Sequence, residues 1–228
     1  MKRIFSPSAI FLAVTLLFPH PVHSQELSSP VDLVNPRIGG ISHVLKPTFP
    51  TVHRPYGMVR FYPVTSPGIS DSYLGGRIYG FPLNRPEHRG RAAIIVIPVS
   101  GLESLQKSNM SSAFDHDFEK VTPYQYSVLL EDDNISVDYT PTERCGFYQF
   151  SPESTTDLVL VFQATDDGSF DLKNEQNLFG SEAFNGIREY VNIWFNRPVK
   201  QSGYPGSMRP RPDGTFCRRS PAGISIKW

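Results

Sequence analysis

The residues best equipped for chemistry crowd into one short stretch, where Arg77, Arg85, Glu87, His88, Arg89 and Arg91 fall beside Tyr79 and Phe81. Planar guanidinium donors next to aromatic faces suit sugar hydroxyls and the C–H surfaces of sugar rings. On composition alone, a solvated loop held by ion pairs ranks ahead of that reading. Adjacent acids are the second candidate, because cleavage of a glycosidic bond commonly uses two carboxylates about 5 to 9.5 Å apart. Asp132 and Asp133 follow an apolar run, however, and Asp166 and Asp167 precede Gly168, so both pairs read as turns in which Asp side chains bond backbone amides. Four histidines outside the N-terminal leader, His43, His53, His88 and His116, are scattered with no pair at ligand spacing, which argues against a histidine metal site. The chain has no GxSxG elbow, no phosphate-cradling glycine loop and no CxxC pair.

The elements that must position these groups are strands. From Tyr124 to Leu130 and again from Ile135 to Thr140, apolar and polar residues alternate on either side of the turn Glu131 to Asn134, as in a hairpin. Pro141 is expected to break the ladder, after which Arg144 to Phe150 makes the third strand of a meander with aromatics on both faces. Glu143 and Arg144 could form a cross-strand ion pair there. Ala92 to Val99 and Leu158 to Phe162 are continuous apolar runs of strand length, the signature of a strand buried on both faces. Upstream, Val34 to Gly40 reads as a strand end, and Pro55 with Gly57 sets a turn before a short strand, Met58 to Tyr62.

The stretch from Val64 to Arg91 reads as one irregular connection, of the kind that carries function. Asp166 to Asn177 reads as a polar loop, Ile187 to Phe195 as a strand covered on both sides, and Ser202 to Pro221 as an exposed excursion. Gly223 to Trp228 closes the chain as a strand with Ile224, Ile226 and Trp228 on one face. No segment carries a convincing helical period, and no internal repeat is visible.

With 22 basic and 22 acidic side chains among 228 residues, the chain has no global field to draw in nucleic acid or an anionic membrane. Residues 1–24 read as a secretory signal: Lys2 and Arg3, an apolar run from Ala9 to Phe18, and small residues at Val22 and Ser24 before a cut ahead of Gln25. That run is shorter than the ~20 residues a membrane-spanning helix needs, so the expected location is secreted or periplasmic, with no membrane span. Residues 25–228 suit a single antiparallel β-sandwich domain. The two cysteines, Cys145 and Cys217, are read as separate, mostly buried thiols, although an exporting compartment would let them pair.

Four segments resemble the N-terminal domain of glycoside hydrolase family 92, the exo-acting α-mannosidases. They are VNPRIGG at Val34, PYGMVRFYP at Pro55, FDHDFEKVTPYQYSVLLEDDNISVDYTPTERCGF at Phe114 and, less specifically, GFPLNRPEHRG at Gly80; together they cover most of residues 31 to 150. The resemblance implies an all-β, galactose-mutarotase-like supersandwich that packs against a larger (α/α)6 catalytic barrel. It also implies a mannose-containing substrate held between the two parts, a calcium ion that helps to distort the sugar, and inversion on hydrolysis. The acid and base of such enzymes lie in the helical part, so the chain is expected to be a sandwich truncated before its catalytic domain, with calcium not bound by this chain alone.

The substrate-binding residues that this resemblance suggests are Asp71, Tyr73, Arg77, Glu87 and His88. Two positions depart from the family pattern: DSYLGGRIYGF, from Asp71, replaces a Trp-containing Ser-Gly-Tyr segment, and Phe147 stands where histidine is frequent. The alternative function is a free-standing carbohydrate-binding or adhesion module. A third is a non-functional fragment whose final apolar strand lacks a partner.

Overall fold

The structure is a computed structural model that describes residues 29–40, 48–65, 75–86, 92–106, 110–153, 157–164, 166–184, 186–203 and 223–227, with only the backbone path at 106, 184 and 223–227. The expected signal, residues 1–24, the excursion beyond 203 and Cys217 lie outside the described residues. The chain divides into two units, 1–33 and 34–228. In the first, Pro30–Leu33 forms one turn of 3-10 helix.

In the second unit every registered strand pair is antiparallel. The short pair β1 (Val52–His53) and β2 (Arg60–Phe61) closes around the expected turn at Pro55 and Gly57. A second short pair joins β3 (Arg77–Ile78) to β6 (Ser112–Ala113). The segment expected to be irregular from Val64 to Arg91 therefore contains β3 and also β4 (Phe81–Asn84), which Gly80 just before it and Pro82 within it had hidden. β4 lies at the edge of a five-stranded sheet. Next to it runs β5 (Ala93–Ser100), then β11 (Leu158–Gln163), β16 (Gly223–Lys227) and β15 (Gln201–Gly203). The final strand β16 is thus paired on both edges and does not lack a partner.

The four-stranded sheet is the meander, in the order β10 (Gly146–Pro152), β9 (Ile135–Pro141), β8 (Tyr126–Leu130) and β7 (Lys120–Val121). Its register runs unbroken from Pro152↔Ile135 to Gly146↔Pro141. Pro141 therefore ends the ladder without breaking it: its missing donor falls at the last pair. Tyr124 precedes β8 and is exposed, outside the core face it was expected to join.

A third sheet of three strands, β12 (Gly168–Asn174), β13 (Asn177–Phe184) and β14 (Ile187–Trp194), occupies what was read as a polar loop. The strand in that region has only Phe170 and Leu172 on its inner side, too few apolar residues for alternation to stand out. β14 is covered on one side only. Val191 and Ile193 pack inward, whereas Tyr190 and Trp194 keep 64% and 69% of their surface exposed.

The inner faces of the four- and five-stranded sheets meet in one cluster: Tyr126, Val128, Ile135, Val137 and Tyr139 against Phe81, Ile94, Val96, Leu160 and Phe162. This is sheet-on-sheet packing, in which alternate residues of each strand interdigitate. Phe61 stands at its centre, with ring centroids 4.1 Å from Tyr139, 5.2 Å from Tyr126 and 5.7 Å from Tyr148. Burial pushes the phenols of Tyr126, Tyr139 and Tyr148 well above their ordinary range. On the far face of the five-stranded sheet Ile95, Ile97, Val99, Val159 and Val161 form a second cluster beneath Leu102 and Leu105. Two covered faces explain why β5 and β11 read as continuous apolar runs.

Other expectations are corrected. Val34 to Gly40 is a turn, closed by Ile38 N–H to the Asn35 carbonyl at 3.3 Å and Gly40 N–H to the Arg37 carbonyl at 3.0 Å, and is not a strand end. Glu143 and Arg144 lie in the exposed β9–β10 turn, before β10 opens at Gly146. Cys145 in the same turn is exposed and free, not buried, because its amide bonds the Thr142 side chain in a tight loop at the sheet's end. No helix among the described residues is long and apolar enough to cross a membrane.

The close approach of β4 to β5 depends on Gly80. At φ +144° it lies where side chains rarely go, and a Cβ there would stand 2.2 Å from Ile95 Cγ2. Gly80→Ala is expected to cost about 2–4 kcal/mol, from backbone strain and overpacking together. Urea unfolding monitored by far-UV circular dichroism checks it.

Candidate functional site

Of the five residues expected to line a sugar site, Arg77 is described; Asp71, Tyr73, Glu87 and His88 lie outside the described residues. Arg77 opens β3, and its guanidinium is largely committed. Nε donates to Ser111 Oγ at 3.0 Å, and one terminal nitrogen reaches both the Ser111 carbonyl at 2.7 Å and Asp132 Oδ2 at 2.6 Å. A half-exposed ion pair of this kind contributes little stability in water. Its geometric effect is larger, since it ties β3 to the hairpin turn of the meander. Asp132 Oδ2 also accepts the Ala113 N–H, and Asp133 Oδ1 accepts the Ser100 N–H, each at 3.2 Å. The two acids are turn residues that bond backbone amides, as expected, but the amides belong to other strands.

The flanks of the 66–74 segment are held at several points. Val64 bridges to Gly80, and Tyr79 N–H donates to the Val64 carbonyl at 2.7 Å. On the return side, the carbonyl of Gly76 accepts Phe114 N–H at 3.3 Å and that of Gly75 lies 3.3 Å from His116 Nε2. His116 turns its other nitrogen, Nδ1, to Glu119 Oε2 at 3.1 Å. Two acceptors therefore flank the ring.

Glu119 is the centre of this arrangement. Its side chain is fully buried, Oε1 accepts the Tyr126 hydroxyl at 2.8 Å and the Tyr62 hydroxyl at 3.2 Å, and Oε2 faces His116 and, at 3.7 Å, Arg37. Arg37 also donates to the backbone carbonyls of His116 and Glu119. Sequence reading missed Glu119. The available signal was a carboxylate three residues after His116 and seven before a core tyrosine.

Arg85 was read among the loop cations, yet it is buried. Its Nε donates to the Tyr62 carbonyl at 2.8 Å, a terminal nitrogen donates to the Pro63 carbonyl at 3.0 Å, and the guanidinium lies 4.0 Å from the Phe49 ring centroid. It anchors the start of the 87–91 segment to Tyr62 and Pro63, just after β2.

A second carboxylate pair lies across β13 and β14, where Glu182 stands opposite Glu189. Glu182 is fully buried and accepts the Ile94 N–H at 2.6 Å and the Asp166 N–H at 2.9 Å. The first of these bonds holds Ile94 at φ 41°, a conformation costly for a β-branched residue. Desolvation raises the Glu189 carboxyl above its ordinary value, the Asn84 amide at 3.4 Å lowers it, and the charge of Glu182 raises it further. With both oxygens of Glu182 engaged by amides, the pair is a backbone clamp and not an acid–base couple. Acids at inward-facing strand positions were the legible clue.

Among the described residues no group of three or more histidine, cysteine or acidic side chains converges on a metal position. Glu119 and Glu182 are also taken up by N–H and O–H donors. Neither of these two carboxylates has an oxygen free of donors for the calcium ion implied by the resemblance.

The family model described as the glycosyl hydrolase family 92 N-terminal domain matches residues 33–224. Among solved structures, an inverting mannosidase of family GH92 from Bacteroides thetaiotaomicron is similar with TM-score 0.71 and 20% identity, over 87% of this chain and 29% of that one. An α-mannosidase of the same family and organism is similar with TM-score 0.68 and 19% identity, over 86% of this chain and 30% of that one. A third, a GH92 glycosyl hydrolase, gives 0.62 and 16%, over 87% and 30%. The chain spans under a third of the length of each, and at these identities the likeness shows the fold. No curated protein sequence matches the chain.

Two outcomes follow from the buried carboxylates. Glu119→Gln puts an amide donor against His116 and Arg37, and should cost roughly 3 kcal/mol, as breaking a buried charged pair does. Trypsin cleavage after Arg77 should accelerate with it. For Glu189, the native carboxyl holds its proton more tightly than the unfolded chain does, so stability falls as pH rises from the ordinary carboxylate range through the raised native value. Glu189→Gln should therefore raise the thermal midpoint at pH 7 by about 1–3 °C and change nothing well below pH 4, read by calorimetry across pH.

Proposed function

This chain belongs to the glycosyl hydrolase family 92 N-terminal domain family, and from that premise we propose that it is the substrate-binding β-sandwich of a secreted, calcium-dependent exo-α-mannosidase. The activity, the calcium and the export belong to this proposal for the whole enzyme. The sandwich contributes one wall of the sugar site, and the bond-breaking acid and base come from a helical domain. Asp71, Tyr73, Arg77, Glu87 and His88 form that wall. A family GH92 α-mannosidase of similar fold has been solved with mannoimidazole, which supports a mannose-like occupant.

The observation that carries this reading is how the flanks of 66–74 and 87–91 are held. Glu119, His116 and Phe114 hold the exit of the first segment, and Arg85 anchors the entry to the second. The flanks of both candidate segments are thus held at fixed points. A rigid support of that kind positions a substrate, and positioning alone can supply several kcal/mol of a barrier reduction when the reacting groups are elsewhere. The buried carboxylates Glu119 and Glu182 are engaged by donors and hold the frame, which fits a wall better than a catalytic centre.

Saturation-transfer NMR with methyl α-mannoside tests the reading. The full chain should show weak transfer that Asp71→Ala and Glu87→Ala each reduce several-fold, and it should release no phenol from an aryl α-mannoside with or without calcium. Turnover of the aryl mannoside, or transfer indifferent to both substitutions, overturns it; tight binding by the chain alone favours a free-standing module instead.

A further inference from the structure

We infer that the outward face of the three-stranded sheet is a second binding surface, for an extended oligosaccharide chain; the choice of a glycan as occupant rests on the proposed function. Outward positions of β14 are Arg188, Tyr190, Asn192 and Trp194, and opposite them on β13 stand Ala183, Ser181, Phe179 and Asn177. Tyr190 and Trp194 are large aromatics left exposed on the same side of a regular strand. Four residues apart on one strand, they are about 13 Å apart, longer than one sugar ring.

Polar groups fill the interval between the rings. Phe179 stacks beside Tyr190, with centroids 6.0 Å apart and planes 29° from parallel. The Asn177 amide donates to Asn192 and, at 3.1 Å, to the Ile193 carbonyl, fixing Asn192 between the two exposed rings. At one end Arg188 is held by Asp167 at 2.6 Å. Exposed ring faces on either side of the exposed Asn192 amide match a carbohydrate, whose C–H faces stack and whose hydroxyls need partners.

Competing occupants fit less well. A nucleic acid would also stack, but the positive charges here, Arg188 and Lys173, are each matched by an acid, Asp167 and Asp171, so no field remains for phosphates. A protein partner would favour contiguous apolar surface, and this face interrupts its rings with amides. The surface is also pre-formed: the β13–β14 register is unbroken from Asn177↔Trp194 to Phe184↔Ile187, and Val191 and Ile193 pin the strand to the core from behind. Little ordering is left for binding to cost.

The test is native affinity electrophoresis of the full chain in gels containing soluble yeast mannan, with bovine serum albumin as the unretarded reference. The chain should be retarded, and Tyr190→Ala and Trp194→Ala should each weaken retardation at least several-fold, while Trp194→Phe keeps part of it. Both side chains are exposed, so the variants should retain the parent's far-UV spectrum and thermal midpoint, which separates lost binding from lost folding. Because the proposed pocket would also meet mannan ends, retardation is compared within an Asp71→Ala/Glu87→Ala background, where it should persist and still fall several-fold on Trp194→Ala; Trp194→Ala alone should leave the methyl α-mannoside signal unchanged, so this surface and the proposed pocket fail separately. No retardation of the parent chain, retardation indifferent to the double Tyr190→Ala/Trp194→Ala variant, or a dimer in gel filtration that Trp194→Ala dissolves would each overturn the inference.

Discussion

A carboxylate taken out of water must be met by donors, and Glu119 meets them from four directions. Tyr62 and Tyr126 bond one oxygen, His116 and Arg37 face the other, and none of these five residues is adjacent in sequence to another. Desolvating a single carboxylate costs several kcal/mol, so the arrangement is stable only when complete. Each contact is thereby conditional on the others. The turn at Val34, the segment after β2 that bears Tyr62 and the start of the meander are fixed relative to one another by one buried carboxylate, and these are three of the segments that carry the family resemblance.

Glu182 repeats the device on the other side of the core. Its carboxylate replaces water for two backbone amides, one of them on Ile94, whose positive φ would not persist without a partner. That bond joins the three-stranded sheet to β5, the strand buried on both faces. β5 is therefore held by apolar contacts above and below and by a charge-assisted bond near its first residue. A strand so constrained transmits little motion, and the segments hung from its neighbours inherit that rigidity.

Much of this was legible in the residues. Alternation placed the meander within a residue or two, and continuous apolar runs at Ala92 and Leu158 announced strands with two covered faces. What escaped were strands with weak apolar signals, such as β12 with only Phe170 and Leu172 inside, and β4, which carries Pro82. Charged residues were misjudged for a related reason. Sequence patterns assign charge to the surface, whereas Arg85, Glu119 and Glu182 are buried because tertiary partners far along the chain satisfy them. Nothing local announces such a partner: Glu119 and Arg37 are 82 residues apart.

The same distinction separates holding from reacting. A carboxylate suited to acid–base work must be free to exchange its proton with a substrate, so its oxygens cannot be committed to amides and hydroxyls. Glu119 and Glu182 are committed, which makes them strong supports and poor reagents. Arg77 follows the same logic, since a guanidinium already divided between Ser111 and Asp132 can offer a sugar only what that geometry leaves over. On the outer sheet the commitment runs the other way. Tyr190, stacked beside Phe179, and Trp194 keep about two thirds of their surface exposed, and an exposed ring on a rigid strand keeps a face available for a ligand.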